Sequence, residues 1–209
     1  MGSIKIAGKN VVTQSGSDEP TIASNVVFPA GNILQVVYGV CKDRKQVGTS
    51  VDYLIDIEFV TKGASSTFFA VASLAIGGYA DSHGFYCGLS LSTGASPDHN
   101  DYMDRGSSAD SNGPYDSYGG TLWMKDFGSM SDGSGSQYHL ASYPLVARKE
   151  TTHATGTTLS AALWVIGDSA AYINRSQDRV THETAITTLM VYEMTGGTNI
   201  VDVTDGDDA

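Results

Sequence analysis

Along VDYLIDIEFV, residues 51–60, the side chains alternate with a period of two. Val51, Tyr53, Ile55, Ile57 and Phe59 fall on one side of an extended chain, and Asp52, Asp56 and Glu58 fall on the other. A helix would scatter these groups around its circumference, whereas a strand sends successive side chains to opposite faces. The stretch predicts a strand with one dry face and one wet face, and the dry face needs a second layer to cover it. STFFAVASLAIGG, residues 66–78, is apolar on both parities, which predicts a central strand covered on both sides. FPAGNILQVVYGV sets a Pro and a Gly before a β-branched run, the mark of a strand entry. TLSAALWVIG places Leu159, Ala161, Leu163 and Val165 on one face, with Trp164 and Ile166 opposite. AITTLMVYEM divides Leu189 and Val191 from Met190 and Tyr192.

No segment carries a helical period over several turns, and no repeat at a fixed spacing is visible. The 24 glycines cluster with Ser, Asp and Asn, which is turn chemistry. Strands at this spacing with glycine-rich turns predict an all-β chain, an antiparallel β-sandwich of jelly-roll type, over a parallel α/β sheet.

The organisation follows from where core-forming residues occur. Residues 1–27 are mostly polar with short β-prone pieces, Ile4 to Ile6 and Val11 to Thr13, and read as an extended N-terminal arm that needs a neighbouring subunit to lie against. Residues 28–196 hold the strands and form the sandwich. Within them, 92–137 loosen into Ser-, Gly- and Asp-rich sequence and read as expanded loops, the usual place for a binding surface. Residues 197–209 form an acidic tail. The formal net charge is −11, and the densest basic run, Lys42-Asp43-Arg44-Lys45, is short and interrupted. Such a surface repels phosphate backbones, so nucleic acid is not an expected partner. The longest apolar run, Phe68 to Ala80, is too short and glycine-broken to span a bilayer, so no membrane insertion is expected. Cys41 and Cys87 form no C-x-x-C pair and imply neither a disulfide framework nor a zinc site. Together with the lack of a charged-then-apolar leader, this predicts assembly in a reducing cytoplasm.

Catalytic motifs are weak. Gly167-Asp168-Ser169 follows an apolar strand, and Asp178 and His182 come after it, which resembles the nucleophile block of the SGNH hydrolases. The spacing in Asp178-Arg179-Val180-Thr181-His182 is one residue longer than that family's, the gap to Ser169 is too short, and the helices of its doubly wound sheet are missing. An activated serine also needs a base and an oxyanion hole. Gly-Asp-Ser is therefore read as a turn, WVIGDSAAYINRS as strand, turn, strand, turn, and no catalytic residue is assigned. The five histidines, His83, His99, His139, His153 and His182, lie in or beside turns without metal-ligand spacing. Asp98, Asp101, Asp104 and Asp110 crowd one loop, and Asp202, Asp205, Asp207 and Asp208 crowd the C-terminus. Neither set follows a calcium-loop pattern, so no metal or cofactor is expected. No pair of carboxylates is marked as a glycoside-cleaving pair, although a carbohydrate-active β-sandwich enzyme is the alternative from a different class. Tyrosines are the more informative side chains here. Tyr102, Tyr115 and Tyr118 fall among Ser, Gly and Asn in the loop-rich middle, and this mixture suits an adaptable ligand-binding surface.

Two segments carry a resemblance. FPAGNILQVVYG, with Pro29, Gly31, Gln35 and Val36, and AAYINRSQDRVTHETAITTLMVYEM, with Asn174, Arg175, Ser176, Thr188, Val191 and Glu193, resemble the two ends of a tail-fibre-like structural domain of marine and cyanobacterial phages. The resemblance spans most of residues 28–195, with motifs at its ends and only texture between. It implies a non-enzymatic virion protein, an antiparallel sandwich displayed as a homotrimer. It further implies that the arm docks on other virion proteins and the loops contact a host-surface glycan or protein. A capsid-decoration protein that stabilises the shell is the second role it allows. No catalytic residues come with it.

Overall fold

The computed structural model describes residues 2–6, 9–16, 21–22, 31–78, 84–103, 122–125, 140–167, 171–175 and 185–195. These form thirteen strands and no helix: β1 (Gly2–Ile6), β2 (Lys9–Gln14), β3 (Thr21–Ile22), β4 (Ile33–Cys41), β5 (Lys45–Gln46), β6 (Asp52–Val60), β7 (Thr67–Gly78), β8 (Gly84–Thr93), β9 (Leu122–Lys125), β10 (Leu140–Glu150), β11 (Thr158–Gly167), β12 (Ala171–Ile173) and β13 (Thr187–Met194). Every pairing between them is antiparallel.

One sheet runs β10, β7, β13, β4. Beside β7 and in line with β13 lies β12, which pairs with β5 in turn. The facing sheet runs β6, β11, β8, β9. With β4 and β5 taken as one strand, and β12 and β13 as one, the sandwich has eight. Their order is first, eighth, third, sixth in one sheet and second, seventh, fourth, fifth in the other. That is the jelly-roll arrangement, an antiparallel β-sandwich.

Period-two alternation builds the layer between the sheets. Phe68, Ala70, Ala72, Leu74 and Ile76 of β7 point inward with Leu189 and Val191 of β13. They meet Leu159, Ala161, Leu163 and Val165 of β11, and Phe85, Cys87, Leu89 and Leu91 of β8. Burying each of the larger side chains stabilises the fold by about 1.5–3 kcal/mol. At Gly39 in β4 a Cβ would lie 2.5 Å from Ile55 Cγ2 and 3.0 Å from Ile57 Cδ1, so this glycine lets β4 and β6 approach closely across the sandwich. The outer edge is tied by Lys149 of β10. Its ammonium donates to the Leu91 carbonyl at 3.0 Å and pairs with the Asp101 carboxylate, joining one sheet to the other.

Several expectations are corrected. The register between β6 and β11 shifts at Leu54, so Tyr53 stands opposite Trp164. A bulge reverses the facing of every residue beyond it, and Tyr53 lies on the outer face, away from Ile55 and Phe59. β8 and most of β10 are strands that the sequence reading did not assign. The short strand that follows Gly167, β12, pairs with β5 and β7 and so lies in the other sheet from β11. The outer side of β7 is not fully covered: Phe69 and Val71 are 36% and 37% exposed. The described part of residues 1–27 forms its own small sheet, β1-β2-β3, whose strands pair only with one another among the described residues.

Candidate functional site

The sandwich presents two outer faces of opposite character. On the four-stranded sheet, the outward positions carry Asp56 and Glu58 of β6, Ser90 and Ser92 of β8, and Ser160 and Trp164 of β11. Across this face returns the loop 94–103. Its backbone rejoins β8 where the Leu91 N–H donates to the Asp101 carbonyl at 3.0 Å and the Met103 N–H to the Leu89 carbonyl at 2.9 Å. The buried Met103 anchors the end of this return. Tyr102 pairs with Ser90, and its ring lies 6.3 Å from that of Trp164. The His99 ring meets the same indole edge-on at 5.9 Å. Tyr53 completes the cluster: its hydroxyl accepts from the His99 N–H at 2.9 Å and lies 3.4 Å from His99 Nδ1.

Trp164 is fully buried, so the half-buried rings of Tyr53, His99 and Tyr102 are the part of this cluster that meets solvent. Asp98 sits beside it. Its carboxylate accepts from the Asn100 N–H at 2.9 Å and the Asn100 side-chain amide at 3.0 Å, which together hold it below the usual carboxylate range, with a smaller contribution from His99. A rigid aromatic floor bordered by a carboxylate and an imidazole provides stacking area and a few polar handles, the surface chemistry expected of a binding loop. Tyr102 is thus placed on the outer face of the sheet. Tyr115 and Tyr118 lie outside the described residues.

Among the described residues, no such loop crosses the outer face of the six-stranded sheet. Strand register lines its side chains into rows. Tyr192 of β13 stands between Val36 of β4 and Phe69 of β7, and Arg148 of β10 follows. In the next row Met190 stands between Tyr38 and Val71, with Val146 beyond. In the third, Thr188 stands between Val40 and Ser73, with Pro144 beyond. Tyr38 is 54% exposed and Val146 50%. Arg148 is the one charged side chain in these rows, and Glu150 of its own strand lies 3.8 Å from it.

Of the residues on which the resemblance rests, Pro29 and Ser176 lie outside the described residues, Val36 and Thr188 lie in the outer rows, and Gln35, Glu193, Asn174 and Arg175 make the side-chain contacts below. Gln35 and Glu193 face each other across the β4–β13 ladder, and Gln35 Nε2 donates to the Glu193 carboxylate at 2.5 Å. The buried Glu193 also accepts from the N–H groups of Lys62 and Gly63 at 2.9 Å and 2.8 Å and from Ser66 Oγ at 2.8 Å. Asn174 is fully buried with φ +56°, a left-handed conformation that asparagine tolerates. Its amide donates to the carbonyls of Cys41 and Asp43, and its oxygen accepts from Thr187 Oγ1. Arg175 lies over the Tyr172 ring at 4.3 Å. These side chains close the turns at opposite ends of the six-stranded sheet.

The remaining sequence candidates are dispersed. His99 belongs to the aromatic cluster. His153 stacks on Phe68 near the β6–β7 turn, with its Nε2 3.4 Å from the Ser66 nitrogen. His83, His139 and His182, Ser169 and Asp178, and Asp104, Asp110 and the C-terminal aspartates lie outside the described residues. Of the loop carboxylates, Asp98 is engaged with Asn100 and Asp101 with Lys149. Among the described residues, no group of three His, Cys, Asp or Glu side chains is placed to hold a metal ion. Cys41 and Cys87 are buried free thiols. Sequence reasoning missed the partnership of Tyr53 with His99, because it depends on a bulge, and the apolar rows, because they depend on pairing between distant strands. No protein-family model and no curated protein matches the chain.

Proposed function

We propose that this chain is a non-enzymatic structural protein of a phage particle, a tail-fibre-like homotrimeric module displayed on the virion. The contrast between its two outer faces carries the reading. One is polar and bears a returning loop with half-buried Tyr53, His99 and Tyr102; the other is apolar across four strands and, among the described residues, is crossed by no loop. A subunit built this way turns one face toward other protein and the other toward solvent and ligand. Gln35, Glu193 and Asn174, three of the residues on which the resemblance rests, act as turn-closing hydrogen bonders, which suits a scaffold role. In this reading the N-terminal strands attach the module to other virion proteins, and the Tyr102 face contacts a host-surface glycan or protein.

Quantifying the protein in purified particles tests the placement. A few dozen copies or fewer, together with loss of adsorption to host cells on Tyr102→Ala, is the expected result. Hundreds of copies, with shell stability falling when the protein is omitted, would move it to capsid decoration. Release of reducing sugar from host envelope by the purified protein would overturn the non-enzymatic reading.

A further inference from the structure

We infer that the outer face of the six-stranded sheet is where one copy of this chain packs against a second copy; this rests on the proposed homo-oligomeric assembly and assigns its contact surface. The face is apolar in consecutive rows, Val36–Tyr192–Phe69 and Tyr38–Met190–Val71–Val146, and it lies on the two strands, β7 and β13, at the centre of the sheet. An antiparallel sheet commonly leaves one face to water and that face is then polar, whereas this one is apolar, the character of a face that meets other protein. Among the described residues, the chain's own N-terminal strands do not supply the cover through any ladder, since β1, β2 and β3 pair with each other.

Charge selects the occupant. A chain of net charge −11 repels a copy of itself over most of its surface, because carboxylates brought together in a drying interface are costly. Within these rows there is no carboxylate, and Arg148 has Glu150 beside it. Across these rows two like-charged copies can meet without opposing acids, and the exposed Glu150 at their edge has Arg148 beside it.

Area is also sufficient. Four strands about 4.8 Å apart and three rows about 6.8 Å apart give a footprint of roughly 400 Å², and the corrugation of side chains raises the accessible area above that. In a closed trimer each such face is covered by a different surface of the neighbouring copy, and the face with its cover together reach the roughly 1,000 Å² that a specific interface requires. Large side chains in the row of Tyr38 and Met190 beside smaller ones in the row of Thr188 and Ser73 make a ridge and a furrow, the relief by which stacked sheets interdigitate.

The test is the mass of the full chain in solution by light scattering coupled to size exclusion, for wild type, Tyr38→Asp and Val146→Asp. Both positions are about half exposed in the single chain, so the fold tolerates the change. Val60→Asp, on the exposed part of β6 in the other sheet, is the control. The expected result is an oligomeric wild type and control, and monomeric variants with unchanged circular dichroism. The dissociation constant should rise at least about thirtyfold, as loss of a central interface contact implies. A second readout guards against misfolding: because Cys41 and Cys87 are buried, the thiol in Val146→Cys should be protected from alkylation in the assembled protein and reactive after dilution. Variants that assemble like wild type, or a thiol equally reactive in both states, overturn this inference while leaving the homo-oligomer intact. A monomeric wild type overturns the contact and the trimer together, and neither result depends on whether the chain is found in particles.

Discussion

The carboxylate of Glu193 is 1% exposed, a position in which an unpaired charge would be strongly destabilising. It is held there by Gln35, two backbone N–H groups of the β6–β7 turn, and Ser66, so one side chain fastens three segments that are distant in sequence. Glu193→Ala would orphan several of those donors at about 1–3 kcal/mol each. A loss of at least about 3 kcal/mol is expected, read as a lower urea midpoint at unchanged slope. Glu193→Gln should recover part of this, since it keeps one acceptor but turns an NH₂ toward donors. A change below about 1 kcal/mol in the Ala variant would mean that the turn finds other acceptors. Tyr143 makes a pH prediction of the opposite sign to the usual carboxylate case. It packs on the core with its ring 5.7 Å from Phe85, and burial pushes its phenol above the ordinary value. The folded state therefore keeps this proton to higher pH than the unfolded state does. Stability from this group is complete below about pH 10 and falls as pH rises past it. Urea midpoints measured from about pH 8 to about pH 11 should decline less steeply in Tyr143→Phe than in wild type; parallel declines would remove Tyr143 from the alkaline transition.

At the scale of elements, Gly39 sets how closely β4 can lie over β6. Gly39→Val would press branched carbons against Ile55 and Ile57, where even a Cβ is too close. Overpacking of this kind costs about 1–3 kcal/mol, more than the gain in strand propensity, so thermal unfolding should shift down with the variant still folded. An unchanged or raised midpoint would show that the two sheets can separate at no cost. The same elements show what could be read in advance. β11 and β13 were legible because their alternation runs unbroken from Leu159 to Val165 and from Leu189 to Val191. β6 was legible as a strand, but its period carries no sign of the extra residue at Leu54, and Tyr53 was placed on the wrong face. β10 was obscured by Pro144 and by the charges of Arg148, Lys149 and Glu150. The proline is tolerated because β10 is an edge strand of its sheet, and Lys149 reaches inward only to span to Leu91 and Asp101. The candidate sites were less legible than the strands. Tyr102 was singled out by its loop composition alone, whereas the Trp164 ring it meets, and the His99 and Tyr53 that complete the cluster, come together only through folding. The apolar rows join residues more than a hundred positions apart, as in Val71 beside Met190, and no local pattern announces such an adjacency.

For the molecule as a whole, the jelly-roll order puts β7 and β13 in the middle of one sheet and β8 and β11 in the middle of the other. The apolar two-sidedness of β7 is consequently displayed as a broad face and not as a narrow seam. Net charge opposes association of such subunits at long range, while the face favours it on contact. Salt acts on the two forces unequally: counterions shorten the reach of the repulsion, from about 30 Å at 0.01 M to about 8 Å at 0.15 M, and they leave apolar burial intact. Assembly of the purified chain should therefore strengthen as sodium chloride is raised across this range, seen in sedimentation velocity as a shift of mass from monomer to oligomer at fixed protein concentration. Interfaces dominated by cross-subunit ion pairs respond in the opposite sense. An oligomer that dissociates with added salt would place the contact on charged surface elsewhere on the sandwich, away from the rows of Tyr38 and Val146.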